Sequence, residues 1–237
     1  MSSLVIDAEN LKKNYGHVEA LSGLNLHVAP GEVHGFLGPN GAGKSTTIKA
    51  IMGTIKLNSG KFEVLGDNPW KNPEKLHQSI AYVPGEVTVW PNLTGGEIID
   101  FLSNMRGGIP QRRIDELITK FEFDPTKKAR SYSRGNKQKI ALIAALATNA
   151  KLFVFDEPTS GLDPVMEHVF QDEVLNKQLE GATVLLSSHI LEEVAALCDK
   201  ITIIKDGKDI EVINNPHEQL SNEELQEKFL THYLSDE

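Results

Sequence analysis

The stretch Gly38-Pro39-Asn40-Gly41-Ala42-Gly43-Lys44-Ser45-Thr46 lies between an apolar run ending at Leu37 and a helical pattern through Thr47, Ile48, Ala50 and Ile51. It fits G-x-x-x-x-G-K-[ST], and its flanks are the strand and helix that this pattern needs. Glycines alone would make only a tight strand-to-helix turn. With Lys44 and Ser45 following them, the turn becomes a cradle: backbone N–H groups curl round phosphate oxygens, and the helix N-terminus points its partial positive charge at them. Lys44 would neutralise the β- and γ-phosphates of a nucleoside triphosphate, and Ser45 would ligate Mg²⁺.

The rest of the chain supplies an α/β frame for such a loop. Short, partly alternating runs over 3–8, 23–28, 32–37 and 61–65 predict strands, with Pro30-Gly31 as a turn before the third. The middle is helical. Thr94-Gly-Gly-Glu97 has capping-box spacing, residues 110–121 start at Pro110, and 137–148 carry Ile140, Ile143, Ala144 and Ala147 at helical intervals. Strands return at 152–155, 183–186, 201–204 and 209–213, the last two flanking an Asp206-Gly207 hairpin signal. Helices are expected after Asp163-Pro164 and over 191–197. Ser221 opens an amphipathic terminal helix with Leu225, Phe229, Tyr233 and Leu234 on one side.

Leu152-Phe-Val-Phe155 is a buried-strand pattern that stops at Asp156-Glu157. Acids often end strands, but ligand chemistry in open α/β sheets also sits at such ends. Beside a phosphate loop, Asp156 would hold Mg²⁺ and Glu157 would orient or deprotonate the attacking water. His189 closes the next buried strand, where it either serves structure or hydrogen-bonds the γ-phosphate. Asp163 before Pro164 is a helix cap in the plain reading. Tyr15 is either a core aromatic or a ring that stacks on a nucleotide base.

Composition excludes several alternatives. With 237 residues and 40% apolar content, the chain can bury about three quarters of its unfolded surface without staples. Its single cysteine, Cys198, allows no internal disulfide and fits a reducing compartment. The first ten residues carry Asp7 and Glu9 and no basic region, which predicts no secretory leader. The longest apolar stretch, 140–155, is interrupted by Thr148, Asn149 and Lys151 and is too short to span a membrane. The net charge of −9 argues against non-specific nucleic-acid binding.

Ser131-Tyr-Ser133-Arg134-Gly135-Asn136-Lys-Gln-Lys139 narrows the reading further. It resembles the signature of ATP-binding cassette (ABC) ATPases, Leu-Ser-Gly-Gly-Gln, and precedes Asp156 at the family's distance. The resemblance runs from about residue 3 to 213. It makes Gly38–Ser45 the Walker A loop, Leu152–Glu157 Walker B with its catalytic Glu, Ser160–Asp163 the D-loop, His189 the switch histidine and Tyr15 the adenine-stacking aromatic. The fold it implies is a P-loop NTPase (RecA-like) core with an N-terminal antiparallel β subdomain and an inserted helical subdomain. The expected division is 1–85 and 150–213 for β subdomain and core, 86–149 for the helices, and 216–237 for a terminal helix.

The resemblance also implies a mechanism. Two chains pair head to tail, and Ser133 with the Gly135 N–H reaches the γ-phosphate of the partner's ATP, so that a second helix N-terminus faces the triphosphate. ATP, Mg²⁺, a second copy and membrane-spanning subunits are the expected ligands and partners, at the cytoplasmic face of the membrane. The Tyr-Ser-x-Gly-Asn-x-Gln-Lys variant and Pro84-Gly85-Glu86 resemble ATPases of prokaryotic ABC-2-type exporters, and 85–107 would be the coupling surface. Two departures stand out. Gly85 occupies the position of the family's Mg²⁺-contacting Gln, so either Glu86 substitutes or the loop works through its backbone. Arg134 replaces the first signature glycine and either adds charge to the closed site or points to solvent. A ribosome- or DNA-directed ABC ATPase and a small-molecule kinase are the competing classes; a single cassette without a basic patch opposes the first, and Glu157, His189 and the signature oppose the second.

Overall fold

The structure is a computed structural model that describes residues 4–106, 108–216 and 231. Apart from residue 231, the terminal helix expected from Ser221 lies outside these residues.

Two sheets organise the chain. The first is antiparallel, in the order β2-β1-β4, from β1 (Ile6–Tyr15), β2 (Val18–Val28) and β4 (Ser59–Val64). The second has six strands in the order β5-β6-β7-β3-β8-β9, from β3 (Val33–Leu37), β5 (Ile80–Val83), β6 (Leu152–Asp156), β7 (Thr183–Ser188), β8 (Lys200–Lys205) and β9 (Lys208–Asn214). Neighbouring strands from β5 to β8 pair in parallel, and β9 returns antiparallel to β8.

The continuous apolar runs of the second sheet have a simple cause: both faces are covered. Side chains alternate between faces along a strand. Phe153, Phe155, Val184, Leu186, Ile201 and Ile203 join the core beneath the helices. Leu152, Val154, Leu185 and Phe36 point the other way, into a second core shared with the antiparallel sheet and α1 (Lys44–Ile51). The first core is capped by α3 (Gly95–Asn104), α4 (Gln111–Lys120), α5 (Arg134–Leu146), α6 (Pro164–Leu179) and α7 (Leu191–Ala195). Phe170 of α6 meets Phe155 edge-on at 5.2 Å between ring centroids. Cys198 is fully buried in this core.

Local signals explain where the helices start. Thr94 and Glu97 form the expected reciprocal box: Thr94 N donates to Glu97 Oε2 at 2.6 Å and Glu97 N to Thr94 Oγ1 at 3.1 Å. Asp163 caps α6 by accepting from Met166 N at 3.0 Å. Helix α5 begins at Arg134, three residues before the periodicity predicts, because Ser133 caps it. β1 and β2 are also longer than expected. Their outer halves are polar and lack alternation, but Gly16 at φ 59° turns the chain and the two strands pair out to Tyr15 and Val18. Strand β5 and the short helix α2 (Pro73–His77) are not among the expected elements, although Ile80-Ala-Tyr-Val83 is an apolar run as long as the one at 152–155. Among the described residues no helix is long and apolar enough to cross a membrane.

An ionic cluster ties α4 to α6. Glu173 Oε2 accepts from Arg113 Nη2 and Glu173 Oε1 from Lys120 Nζ, both at 2.5 Å, while the Glu173 side chain is only 1% exposed. Burial alone would raise the Glu173 pKa; the bond from Lys120 and the charge and bond of Arg113 outweigh it and hold the carboxyl below its usual range.

Candidate functional site

β3 lies between β7 and β8, so the strand ends that carry the predicted motifs are neighbours. Leu37 pairs in register with Ser188, and Asp156 with Ser187. The loop after Leu37, the acids after Phe155 and the histidine after Ser188 therefore emerge along one edge of the sheet, where α/β folds bind ligands.

The loop over 38–43 is shaped by what its glycines cannot carry. A Cβ at Gly38 would lie 2.5 Å from the Ile204 carbonyl oxygen. Gly43, at φ 111°, has the Ala20 carbonyl oxygen 2.8 Å from where its Cβ would be. Helix α1 opens directly afterwards with no side-chain cap and no acid in its first turn, leaving its N-terminal N–H groups to an anion. Lys44 is 5% exposed, and its ammonium donates to Gly38 O at 2.6 Å and Pro39 O at 3.1 Å. Burial pushes its pKa down, opposed by the charges of Glu157 and Asp156. A cleft of about 140 Å³ is bounded by Ala20, by loop and helix residues from Pro39 to Thr46, and by Glu157. Asn40, Gly41 and Ser45 are exposed there, and Ala42 is buried.

Glu157 reaches this cleft because its backbone is left-handed, at φ 49°. Few non-glycine residues adopt that conformation, and those that do concentrate at functional sites. The turn is held by Glu157 N donating to Ser187 O at 3.1 Å and by Ser160 N donating to Glu157 O at 3.2 Å. Glu157 Oε1 then stands 3.5 Å from Lys44 Nζ and 3.4 Å from His189 Nδ1. Asp156 is nearly buried, and its Oδ1 accepts from Ser187 Oγ at 2.6 Å.

The structure thus brings Lys44, Glu157 and His189 together at the loop, with Asp156 behind them. Other predicted residues lie elsewhere in the chain. Tyr15 is 45% exposed at the β1–β2 turn, which removes the core-aromatic reading, and Lys13 Nζ sits 5.0 Å from its ring centroid. Ser133 and Gly135 open α5 outside the cleft; Ser133 Oγ accepts from Asn136 N at 3.3 Å. A Cβ on Gly135 would lie 2.2 Å from Gly161 O, so the signature turn packs against the loop ahead of Asp163. Arg134 does not simply face solvent, because its Nη2 donates to Ser160 Oγ at 2.7 Å. Gly85 backs onto the acidic pair, with Asp156 O 3.0 Å and Glu157 Cβ 3.6 Å from a Cβ placed there, whereas Glu86 is exposed.

One supporting residue escaped the sequence reading. Gly207 N donates to Ala42 O at 2.9 Å, and its own carbonyl accepts from Ser22 N at 2.9 Å, so the β8–β9 turn buttresses the phosphate loop. The Asp206-Gly207 pair signalled the turn but not what it touches.

Comparison with known proteins agrees with this geometry. Residues 21–160 match the ABC transporter family. The bacitracin transport ATP-binding protein BcrA of Bacillus licheniformis is 35% identical over 244 residues, covering 99% of this chain and 76% of that protein. The linearmycin resistance ATP-binding protein LnrL of Bacillus subtilis (strain 168) is 37% identical over 213 residues, covering 88% and 68%. A solved structure titled as the ATP binding subunit of an ABC transporter superposes with a TM-score of 0.86 at 28% identity, over 96% of this chain and 100% of that one. On these grounds the chain belongs to the ABC transporter family, as an ATP-binding subunit that hydrolyses ATP.

Proposed function

We propose that the chain drives export through membrane-spanning subunits, by ATP-dependent closure of two copies head to tail. The observation that carries the reading is the convergence of Lys44, Glu157 and His189 on one phosphate loop.

In this reading the loop N–H groups and Lys44 hold the β- and γ-phosphates. Lys44 exchanges its bonds to Gly38 O and Pro39 O for phosphate oxygens, which suits a buried ammonium better than neutral carbonyls. Glu157 accepts a hydrogen bond from the attacking water and orients or deprotonates it. His189, beside Glu157, holds the γ-phosphate. Tyr15 stacks on the base, and Asp163 fixes the start of α6.

The donor set fits Mg²⁺. Ser45 and Asp156 offer hard oxygens, the donor type that Mg²⁺ takes, and they would hold it together with phosphate and water oxygens. Bound there, Mg²⁺ would neutralise charge developing on the phosphates. Exposed Ser133 and the N–H of half-buried Gly135, at the start of α5, would serve the partner's ATP.

Residues 86–149 form the helical subdomain in this scheme, and the membrane subunits dock beside it. A groove of about 420 Å³ runs between β5 and α5, with Val87, Trp90, Leu102 and Met105 among its walls. Trp90, Phe101 and Met105 are 50%, 47% and 71% exposed, which supports burial against a partner. The chain would then be peripheral, at the cytoplasmic face. The bacitracin transport role named for BcrA and the linearmycin resistance role named for LnrL support an antibiotic-type cargo.

The test is the mass of Glu157→Gln in solution by light scattering, with and without Mg-ATP. A monomer that becomes a dimer only with ATP supports closure; a chain that binds ATP and stays monomeric opposes it. Hydrogen exchange over 85–107 should slow when membrane subunits are added, and unchanged exchange would count against docking there.

A further inference from the structure

The segment between Glu157 and Asp163 is tied to two other parts of the chain by side chains that the reaction itself does not use. Thr159 Oγ1 donates to Glu193 Oε1 at 2.8 Å, and Ser188 Oγ donates to Glu193 Oε2 at 2.7 Å. Both hydroxyl residues are buried, Thr159 at 8% and Ser188 at 2% exposure. One carboxylate of α7 therefore joins the residue before His189 to the segment after Glu157. The fit is chemical: an ionised carboxylate has two oxygens that only accept, and each takes one hydroxyl proton.

The tie continues from the next residue. Ser160 Oγ accepts from Arg134 Nη2 at 2.7 Å, and the Gly161 carbonyl packs where a side chain on Gly135 would be. An unbroken path thus runs from Ser188 through Glu193, Thr159, Ser160 and Arg134 to the N-terminus of α5. Its ends differ in what they serve. His189 adjoins the chain's own phosphate loop, whereas Ser133 and Gly135 face outward.

We propose that Glu193 and Arg134 are positioning residues that make His189 and the signature turn move as one unit, linking the nucleotide in a chain's own site to the one its signature completes in the partner. The inference rests on the head-to-tail reading above. Two short segments joined only by exposed backbone would each relax independently. Joined through the buried hydroxyls of Ser188 and Thr159 and the Glu193 carboxylate, a shift of His189 on loss of the γ-phosphate is passed to residues 159–161, and from there to Arg134 through its exposed bond to Ser160.

The experiment is a double-mutant cycle on ATP hydrolysis by the full chain. Glu193→Ala and Arg134→Ala should each lower kcat about tenfold with KM changed less than about twofold, and the double variant should be no slower than the slower single. Glu193→Gln keeps one acceptor and adds an amide donor that a hydroxyl can accept, so it should recover most of the rate. If Glu193→Ala fails to fold, Thr159→Val removes the same link at nearly constant volume and takes its place in the cycle. Losses that multiply to about a hundredfold, or an unchanged kcat in Glu193→Ala, would overturn the linkage. Glu157→Gln in the same preparations separates the two readings. If it dimerises with Mg-ATP while the losses multiply, the linkage alone is wrong. If it never dimerises, the linkage falls together with the reading beneath it.

Discussion

The Glu157 carboxylate lies 3.4 Å from His189 Nδ1, across a gap that no helix or strand geometry would set, because the residue that spans it has left-handed backbone. The same oxygen is 3.5 Å from Lys44 Nζ, so one carboxylate is shared between an ammonium and an imidazole. In the proposed mechanism an ATP γ-phosphate entering the loop would compete with Glu157 for Lys44 and leave the carboxylate to a water.

Glu157→Gln keeps the shape and removes the charge. Hydrolysis should fall by about a hundredfold or more, the scale of a lost general base. ATP affinity should hold or rise, since Lys44 loses a competing partner. Single-turnover hydrolysis and equilibrium ATP binding, measured on the same sample, read the two effects separately.

His189→Ala should slow kcat by about ten- to a hundredfold with a smaller change in KM. If His189 and Glu157 act on the same γ-phosphate and water, their effects will not add. The double variant should then hydrolyse ATP no more slowly than Glu157→Gln alone.

Gly207→Ala tests the buttress beneath the phosphate loop. At φ 73° a side chain is strained, and its Cβ would meet Ala20 O at 2.8 Å. The turn must move, taking with it the bond from Gly207 N to Ala42 O. A loss of about 1–3 kcal/mol in stability is expected, with weaker ATP binding. Denaturant melts in the presence and absence of ATP check both.

Glu173→Gln probes the cluster between α4 and α6. The folded carboxyl is held below its ordinary range, so its ionisation stabilises the fold above about pH 4.5, and the contribution is lost as pH falls through the lowered value. At neutral pH the variant should lose about 2 kcal/mol, the scale of hydrogen bonds to charged groups. Arg113 and Lys120 remain 23% and 48% exposed, so water softens their loss of a partner. Melting temperatures of the two proteins should converge as the pH is lowered below 4.5.

The chemistry of this chain is legible where it is written in neighbouring residues. Gly38–Thr46, Asp156-Glu157 and Ser133–Gly135 each carry their meaning within a few positions, and their flanking strands and helices follow from apolar spacing. What supports them is written across distance. Glu193 meets Thr159 from 34 residues away, and Glu173 meets Arg113 from 60. Gly207 reaches Ala42 from the β8–β9 turn, next to β3 in the sheet but far along the chain. Such pairs have no local pattern, because burial and strand order, not spacing, bring them together. β5 differs: its apolar run Ile80-Ala-Tyr-Val83 is as long as the one at 152–155 but lacks the acidic pair that marks the latter. Arg134 was open between two readings, and only the position of Ser160 decides that it bonds within its own chain.

Burial of Cys198 has a practical consequence. The chain has one thiol, it is wholly enclosed, and burial with the neighbouring Asp199 charge raises its pKa well above the ordinary value. Thiolate is the species that reacts with labelling reagents, so the folded protein is chemically silent toward them. A cysteine introduced at an exposed position away from the site, such as His168→Cys on α6, would be the sole reactive handle, and a spin label or dye placed there would report the distance between two copies without any native cysteine having to be removed.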